Sequence, residues 1–203
     1  HLGTEPHTLA EIARGDHPFR AVLDGAERPM LVLGSGAIAR VDGAGIMTIA
    51  CQIAEKTGMM KRDWNGFNVL HHAASRVGGL DLGLVPRMGG QDVAGIATGT
   101  GNGAIEIVYL LGADEIDMAG FGGAFVIYQG HHGDAGAERA DVVQPGAAYT
   151  EKDATYVNTE GRVQRTRRAL FPPGDAREDW RILRALSDVL GHRLPYNDLD
   201  QVR

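Results

Sequence analysis

The sequence predicts an α/β fold: a mainly parallel sheet flanked by helices, with a small β-hairpin segment near the C-terminus. Three observations carry that expectation. Short apolar runs rich in β-branched and aromatic residues, at Pro29–Gly34, Ile105–Leu111, Ala124–Tyr128 and Asp141–Val143, each give way to Gly or Pro, as buried parallel strands do. Segments with helical spacing separate several of these runs, and alternation of the two implies parallel pairing. The stretch from Tyr128 to Gln164 gathers Gly, polar and aromatic residues. It reads as two buried strand ends, the loops they carry and a two-stranded segment. Ligands in open α/β sheets bind beyond the carboxyl ends of strands, where Gly130-His131-His132-Gly133 falls.

In chain order, Thr8-Leu9-Ala10-Glu11 has the form of a capping box that opens a short helix. Asp16 and Pro18 start a second, with Phe19, Val22, Leu23 and Ala26 on one face. The strand Pro29–Gly34 leads through a loop, Ser35 to Val41, to a helix capped by Asp42. Its Ile46, Ile49, Ala50, Ile53 and Ala54 recur at helical spacing, and Gly58 lies just past its end. Met59 to Gly66 reads as a connection and Asn68 to Arg76 as another helix. Gly78 to Gly103 is glycine-dense without a period, and is expected to be a long loop. Loops of that length in compact domains are usually functional or partner-bound. The strand Ile105–Leu111 follows, then Ala124–Tyr128, a single helical turn or irregular crossover over Asp134–Arg139, and Asp141–Val143. Ala154–Val157 and Arg162–Thr166 read as paired strands around an Asn158–Gly161 turn, with Gly161 able to take positive φ. Asp175-Ala176-Arg177-Glu178 resembles a capping box for a helix over 177–190 that carries Trp180, Leu183, Leu186 and Leu190 on one face. Gly191 stops it.

Composition narrows the function classes. With 203 residues, one domain is the expectation, with room for a small appendage, and 43% hydrophobic residues allow a sizeable core. Lys plus Arg number 20 against 26 Asp plus Glu, a formal net charge of −6, which argues against a nucleic-acid partner. No apolar run reaches the roughly 18 residues of a membrane helix, so direct membrane insertion is not expected. No secretory leader is visible. The one cysteine, Cys51, excludes a disulfide scaffold within the chain and cannot alone supply the roughly four thiolates of an iron–sulfur cluster. The chain begins at His1 rather than Met, which suggests processing or a piece of something longer.

Several residue groups invite chemistry. Gly34-Ser35-Gly36-Ala37-Ile38-Ala39 fits G-x-G-x-x-A after a strand, yet a dinucleotide site needs the helix to open at those glycines, and Asp42 is the better cap. The doublets His71-His72 and His131-His132 point their rings apart on either a strand or a helix, so neither is expected to hold a metal. His71-His72 is expected on a helix surface or edge, and His131-His132 hydrogen-bonded in a tight loop. Glu151, Asp153 and Glu160 lie in polar turns, where capping is commoner than acid–base work. Cys51 falls on a helix face, the ordinary setting of an inert thiol. Arg162, Arg165, Arg167 and Arg168 form a basic cluster, readable either as a solvated strand edge or as a dock for an acidic neighbour.

The run PGAAYTEKDATYVNTEGRVQ (145–164), with YQGHHGD (128–134) before it and PPGDAREDWRILRALS (172–187) after it, closely resembles the C-terminal region of the large iron–sulfur subunit of respiratory complex I, the NADH–quinone oxidoreductase. HPFRAVL (17–23), PMLVLGS (29–35), YLLGAD (109–114) and LPYNDLDQVR (194–203) fit it too. More loosely, Glu151, Thr155 and Asn158-Thr159-Glu160-Gly161-Arg162 resemble a pattern of the molybdopterin oxidoreductases, where the similar segment helps to hold the pterin dinucleotide. The resemblance implies a molybdopterin-oxidoreductase-like fold and a single α/β region, 1–203, cut from a larger subunit whose cysteine-rich, iron–sulfur N-terminal part lies elsewhere. It implies a non-catalytic scaffold in the peripheral arm of an assembly that carries electrons from NADH to quinone, at the inner or cell membrane on its matrix or cytoplasmic side. Other peripheral-arm subunits are then the partners. The iron–sulfur clusters belong to the parent subunit and none to this region. Gly130, His131, His132, Glu151, Thr155, Asn158 and Arg162 are the candidate residues of a vestigial cofactor site, expected to survive as a hydrogen-bonded structural core. The alternative is a nucleotide- or pterin-binding oxidoreductase module.

Overall fold

The computed structural model describes residues 1–3, 5 and 7–203. It is a mixed α/β structure in two compact units, 1–82 with 156–164, and 83–155 with 165–203. No helix among the described residues is long and apolar enough to cross a membrane.

In the first unit, helices α1 (Thr8–Arg14) and α2 (Phe19–Asp24) precede strand β1 (Leu31–Gly34). A one-turn helix α3 (Ser35–Ile38) and the long helix α4 (Gly43–Lys56) follow. The expected loop 35–41 thus contains a helical turn that opens directly after Gly34. Asp42 does sit at the start of α4, but it does not cap the helix with its side chain. Its carboxylate instead takes both Nε and Nη2 of Arg40, at 2.8 and 3.0 Å, and that exposed pairing draws the Asp42 pKa below its ordinary value. The end of α4 is well built. Gly58 takes φ +67°, its N–H meets Glu55 O, and Met59 N–H reaches back to Ala54 O at 2.9 Å. This is the Schellman arrangement, in which a left-handed glycine lets its own amide and the next one satisfy the last carbonyls. Met59 is thereby turned into a cluster with Ile12, Ala13, Ile53 and Ala54.

The region Asn68 to Arg76 corrects the expected helix. Strand β4 (Phe67–Leu70) pairs in parallel with β1, Leu31 opposite Phe67 through Gly34 opposite Leu70. A small hairpin, β2 (Met60–Lys61) with β3 (Trp64–Asn65), delivers it. Trp64 Nε1 donates to Pro29 O at 2.9 Å and Leu31 N donates to Gly66 O at 2.8 Å. These bonds fix the register, and tertiary pairing overrides the helical spacing of Leu70, Ala73 and Ala74. His71 and His72 therefore follow a strand end rather than riding on a helix. Helix α5 (Arg76–Asp81) closes the first long segment.

The second unit centres on a three-stranded parallel sheet in the order β5 (Ile107–Leu111), β6 (Phe125–Gly130), β7 (Val142–Pro145). Val108, Leu110, Phe121, Ala124, Val126 and Tyr128 form its core, and β6, the central strand, carries the most buried residues. Helix α7 (Ala135–Arg139) makes the crossover between β6 and β7. The expected long loop 78–103 is instead broken by α5 and by helix α6 (Val93–Gly101). Asp92 caps α6 by accepting Gly95 N–H at 2.8 Å. One of its glycines is a close-contact position, since a Cβ on Gly99 would press on Ile105, and outside the helix a Cβ on Gly120, in the 3₁₀ turn Met118–Phe121, would meet Ala97 of α6.

Strands β8 (Thr155–Val157) and β9 (Val163–Arg165) form the expected hairpin, with Gly161 at φ +77°. Its tip belongs to the first unit, where Val157 N–H donates to Ser75 Oγ at 3.2 Å. Helix α8 (Asp179–Val189) begins two residues later than expected, and Asp175 does not cap it. Glu178 precedes it and accepts from Trp180 Nε1 and Arg181 Nε. Its buried residues are Arg184 and Ser187, while Leu190 is 63% exposed. Arg184 reaches Tyr196 O and Asn197 Oδ1 and pairs with Asp188 through Nη1. It thus fastens the segment before the last helix, α9 (Leu199–Val202), to α8.

Gly136 is buried in α7, and a Cβ there would lie 2.8 Å from the Tyr128 ring and 3.3 Å from Ala113 O. Gly136→Ala is expected to cost about 1–3 kcal/mol, the usual range for overpacking. Gly101→Ala, which meets nothing within 4 Å, is expected to be neutral or to stabilise by up to about 1 kcal/mol. Denaturant unfolding of the two variants checks the contrast.

Candidate functional site

Parallel pairing places the carboxyl ends of β5, β6 and β7 side by side, with Leu111 opposite Gln129 and Gln129 opposite Gln144. From Tyr109, two residues before the end of β5, the hydroxyl reaches both glutamines: the oxygens of Gln129 and, at 2.8 Å, of Gln144. Gln129, with no exposed surface, donates through Nε2 to Asp179 Oδ1 at 2.9 Å. Lys152 closes the chain with an ion pair to Asp179 Oδ2. One hydroxyl carries one proton. Asp179 fixes the Gln129 amide as donor, so the Tyr109 proton goes to Gln129 Oε1. The Gln144 amide is then best turned to present its NH₂ to the Tyr109 oxygen, since amide orientation follows the network. Lys152–Asp179–Gln129–Tyr109–Gln144 is thus a continuous polar chain across three strand ends and the first turn of α8. Burial, and secondarily the Asp179 charge, push the Tyr109 pKa above its ordinary 10.0.

Beside this network lies a 360 Å³ cavity, whose lining includes Gly130, His131, His132, Gly146, Glu151 and Asp175. Four of the seven candidate residues therefore come together: Gly130, His131, His132 and Glu151. Gly130 is held close, because a Cβ there would overlap the Tyr128 ring and because its carbonyl accepts Gly146 N–H at 2.7 Å. His131 and His132 are exposed, their rings edge-on with centroids 4.3 Å apart. Glu151 accepts Ala148 N–H at 2.9 Å. Thr155, Asn158 and Arg162 do not line the cavity. Thr155 starts β8. Asn158 Oδ1 ties the hairpin turn by accepting from Glu160 N and Arg162 N. The Arg162 guanidinium lies 3.5 Å from Glu160 at the surface. Among the described residues, no three His, Cys, Asp or Glu side chains gather as a metal site.

The strand-end network escaped the sequence reading. Its signal was present: Gln129-Gly130 and Gln144-Pro145-Gly146 repeat a glutamine before the break of successive strands. Read as punctuation, they are in fact the polar ends of otherwise apolar strands. Asp179 lies 50 residues beyond Gln129 in sequence, and only the fold brings it to the strand ends.

Comparison with known proteins agrees with the resemblance. The molybdopterin oxidoreductase family model matches residues 1–189. The chain is 46% identical over 203 residues to the NADH-ubiquinone oxidoreductase 75 kDa subunit of Reclinomonas americana, covering 99% of this chain and 28% of that protein. It is 44% identical over 207 residues to the mitochondrial NADH dehydrogenase [ubiquinone] iron-sulfur protein 1 of Solanum tuberosum, covering 100% and 26%. It is 46% identical over 207 residues to the mitochondrial NADH-ubiquinone oxidoreductase 78 kDa subunit of Neurospora crassa, covering 100% and 26%. The chain thus spans little more than a quarter of the length of these relatives.

Tyr109→Phe removes the one hydroxyl that both glutamines share and leaves the buried Gln129 oxygen without its donor, so a loss of about 1–3 kcal/mol is expected. The alkaline limb has a definite sign. With its native pKa raised, Tyr109 holds its proton where the unfolded chain has lost it, so its contribution to stability is full below about pH 10 and falls as pH rises further. Unfolding followed from pH 8 to 11 should show a shallower alkaline decline for Tyr109→Phe than for the parent. Tyr128, also raised by burial, keeps its own share in both.

Proposed function

The chain belongs to the molybdopterin oxidoreductase family, and on that premise we propose that it is a non-catalytic scaffold region of a complex I peripheral-arm subunit. The assembly it serves transfers electrons from NADH to quinone, and its partners are the other subunits of that arm, at the membrane face where the complex is anchored. One observation carries the reading. In open α/β sheets the strand ends are where ligands are met, and here those side chains are spent on one another in the Lys152–Asp179–Gln129–Tyr109–Gln144 network. Polar groups so engaged stabilise the sheet and offer little to a cofactor.

A pterin dinucleotide asks the same region for free donors and acceptors. Glu151 and Asn158 already accept backbone N–H groups of their own turns, and the Arg162 guanidinium sits beside Glu160. Of the polar candidates only His131 and His132 keep free ring nitrogens among the described residues, a set too small for a pterin dinucleotide, and the reading assigns the chain no pterin chemistry. Cys51 lies partly buried on α4, and a lone thiol leaves iron–sulfur clusters to the rest of the parent subunit. Exposed apolar side chains such as Ile107, Met88 and Val189 suit a region that packs against neighbours.

The test uses the whole assembled complex with Glu151→Gln, Asn158→Ala and Arg162→Ala combined. NADH–quinone turnover per assembled complex is expected to stay within about twofold, since no interaction specific to a transition state is removed; the yield of assembled complex carries any loss. A turnover loss of about tenfold or more at normal yield would sink the scaffold reading in favour of the nucleotide- or pterin-binding one. So would stoichiometric molybdenum in the purified complex.

A further inference from the structure

The network accounts for Lys152 and Asp179, but a second polar feature of the same unit is left over. Asp153, Arg165, Thr166, Arg167 and Arg203 line a separate cavity of 610 Å³. Arg165 and Arg167 are exposed and two apart in sequence, the spacing that puts side chains on one face of an extended segment. Neither guanidinium has an ion-pair or hydrogen-bond partner among the described residues. Arg203 adds a third guanidinium, 3.7 Å from Asp200. In a chain of net charge −6, a hollow whose lining holds Arg165, Arg167 and Arg203 against the single carboxylate of Asp153 is a local reversal of sign.

The segment that follows adds a different kind of surface. Arg168 N–H donates to Asp153 Oδ1 at 2.7 Å, and Ala169 and Leu170 N–H both donate to Thr150 O. The chain from 168 to 170 is thus tied beside 150–153. Yet Leu170 is 63% and Phe171 80% exposed, and the Arg168 guanidinium lies 4.3 Å from the Phe171 ring centroid. An ordered backbone that presents a bare aromatic, backed by arginine, beside unpaired arginines has the composition of interface anchors.

We propose that Arg165, Arg167 and Arg203 with Leu170 and Phe171 form a docking surface for a segment of another protein that carries carboxylates beside an apolar side chain. The planar guanidinium fork matches a carboxylate with two parallel hydrogen bonds, and Phe171 supplies apolar area next to it. A protein segment suits the site better than a membrane or a nucleic acid. The arginines line a hollow rather than a plane, the Asp153 carboxylate in its wall disfavours dense phosphate charge, and the acidic chain as a whole repels polyanionic surfaces. The inference rests on the scaffold reading and deepens it by locating where a partner is held.

The probe is a labelled peptide of alternating Glu and Leu, titrated against the full-length subunit, with its Gln-for-Glu counterpart, an oligonucleotide and phosphatidylglycerol–phosphatidylcholine vesicles as comparisons. Saturable binding of the acidic peptide is expected. Binding should be about tenfold weaker for the Gln counterpart and for Arg165→Gln/Arg167→Gln, as losing one charge-assisted pair implies, and several-fold weaker for Phe171→Ala. An unchanged thermal midpoint shows that the variants fold, and Arg165→Lys/Arg167→Lys, which keeps charge but not the fork, should give an intermediate loss. Absence of saturable peptide binding, equal binding of the Gln counterpart, unchanged binding by the double Gln variant, or tighter binding of vesicles or oligonucleotide would each overturn the docking surface. Each would leave the turnover and molybdenum results, and so the scaffold reading, standing.

Discussion

The second unit depends on one buried side chain. Gln129 has no exposed surface, and a buried amide must find partners or cost the fold the desolvation of each unmet group. It finds them in Tyr109 on one side and Asp179 on the other. That requirement fixes the order of β5, β6 and β7 at their ends, the approach of α8 and the placement of Lys152. The apolar core beneath, from Val108 to Tyr128, would tolerate small slips, because hydrophobic contact is not directional. The network would not. It makes the sheet end specific where the core makes it stable.

The same economy explains the close glycines. Tyr128 lies over Gly130 and Gly136, and neither could carry a Cβ without meeting its ring. Many glycines of the second unit are therefore of one of two kinds. Some take left-handed backbone at the ends of elements, as Gly191 does after α8. Others exist because something large lies where their side chain would be. The abundance of glycine in the sequence records close packing as much as turns.

Legibility followed the same line. The three parallel strands, helix α4 with Gly58 beyond its end, and the hairpin around Gly161 were readable, because their signals are local: a β-branched run, a 3.6-residue spacing, a turn residue. Strand β4 was not, because Phe67–Leu70 is a strand by virtue of its pairing with Leu31–Gly34, 36 residues earlier. Helix α6 was not, because glycine is a poor helix former and the packing of Gly99 against Ile105 leaves no local trace in the sequence. At the candidate site, the placing of Gly130, His131 and His132 together could be expected from their position at the end of β6, whereas Glu151 arrives from a turn beyond β7. The engagement of Glu151 and Asn158 with backbone amides could be expected only in kind. The Gln129–Asp179 bond spans 50 residues, and no local pattern announces it.

Neither compact unit is continuous in the chain. The hairpin tip, 156–164, joins residues 1–82, and the second unit resumes at 165. A ribosome making this chain must therefore release all of 83–155 before the strand carrying Val157 can meet Ser75 and Gly78. At synthesis rates of about 5–20 residues per second, the first unit waits several seconds without the segment 156–164 that completes it. Emergence order and completion order are thus uncoupled, and the nascent chain has a defined interval in which a chaperone has something to hold.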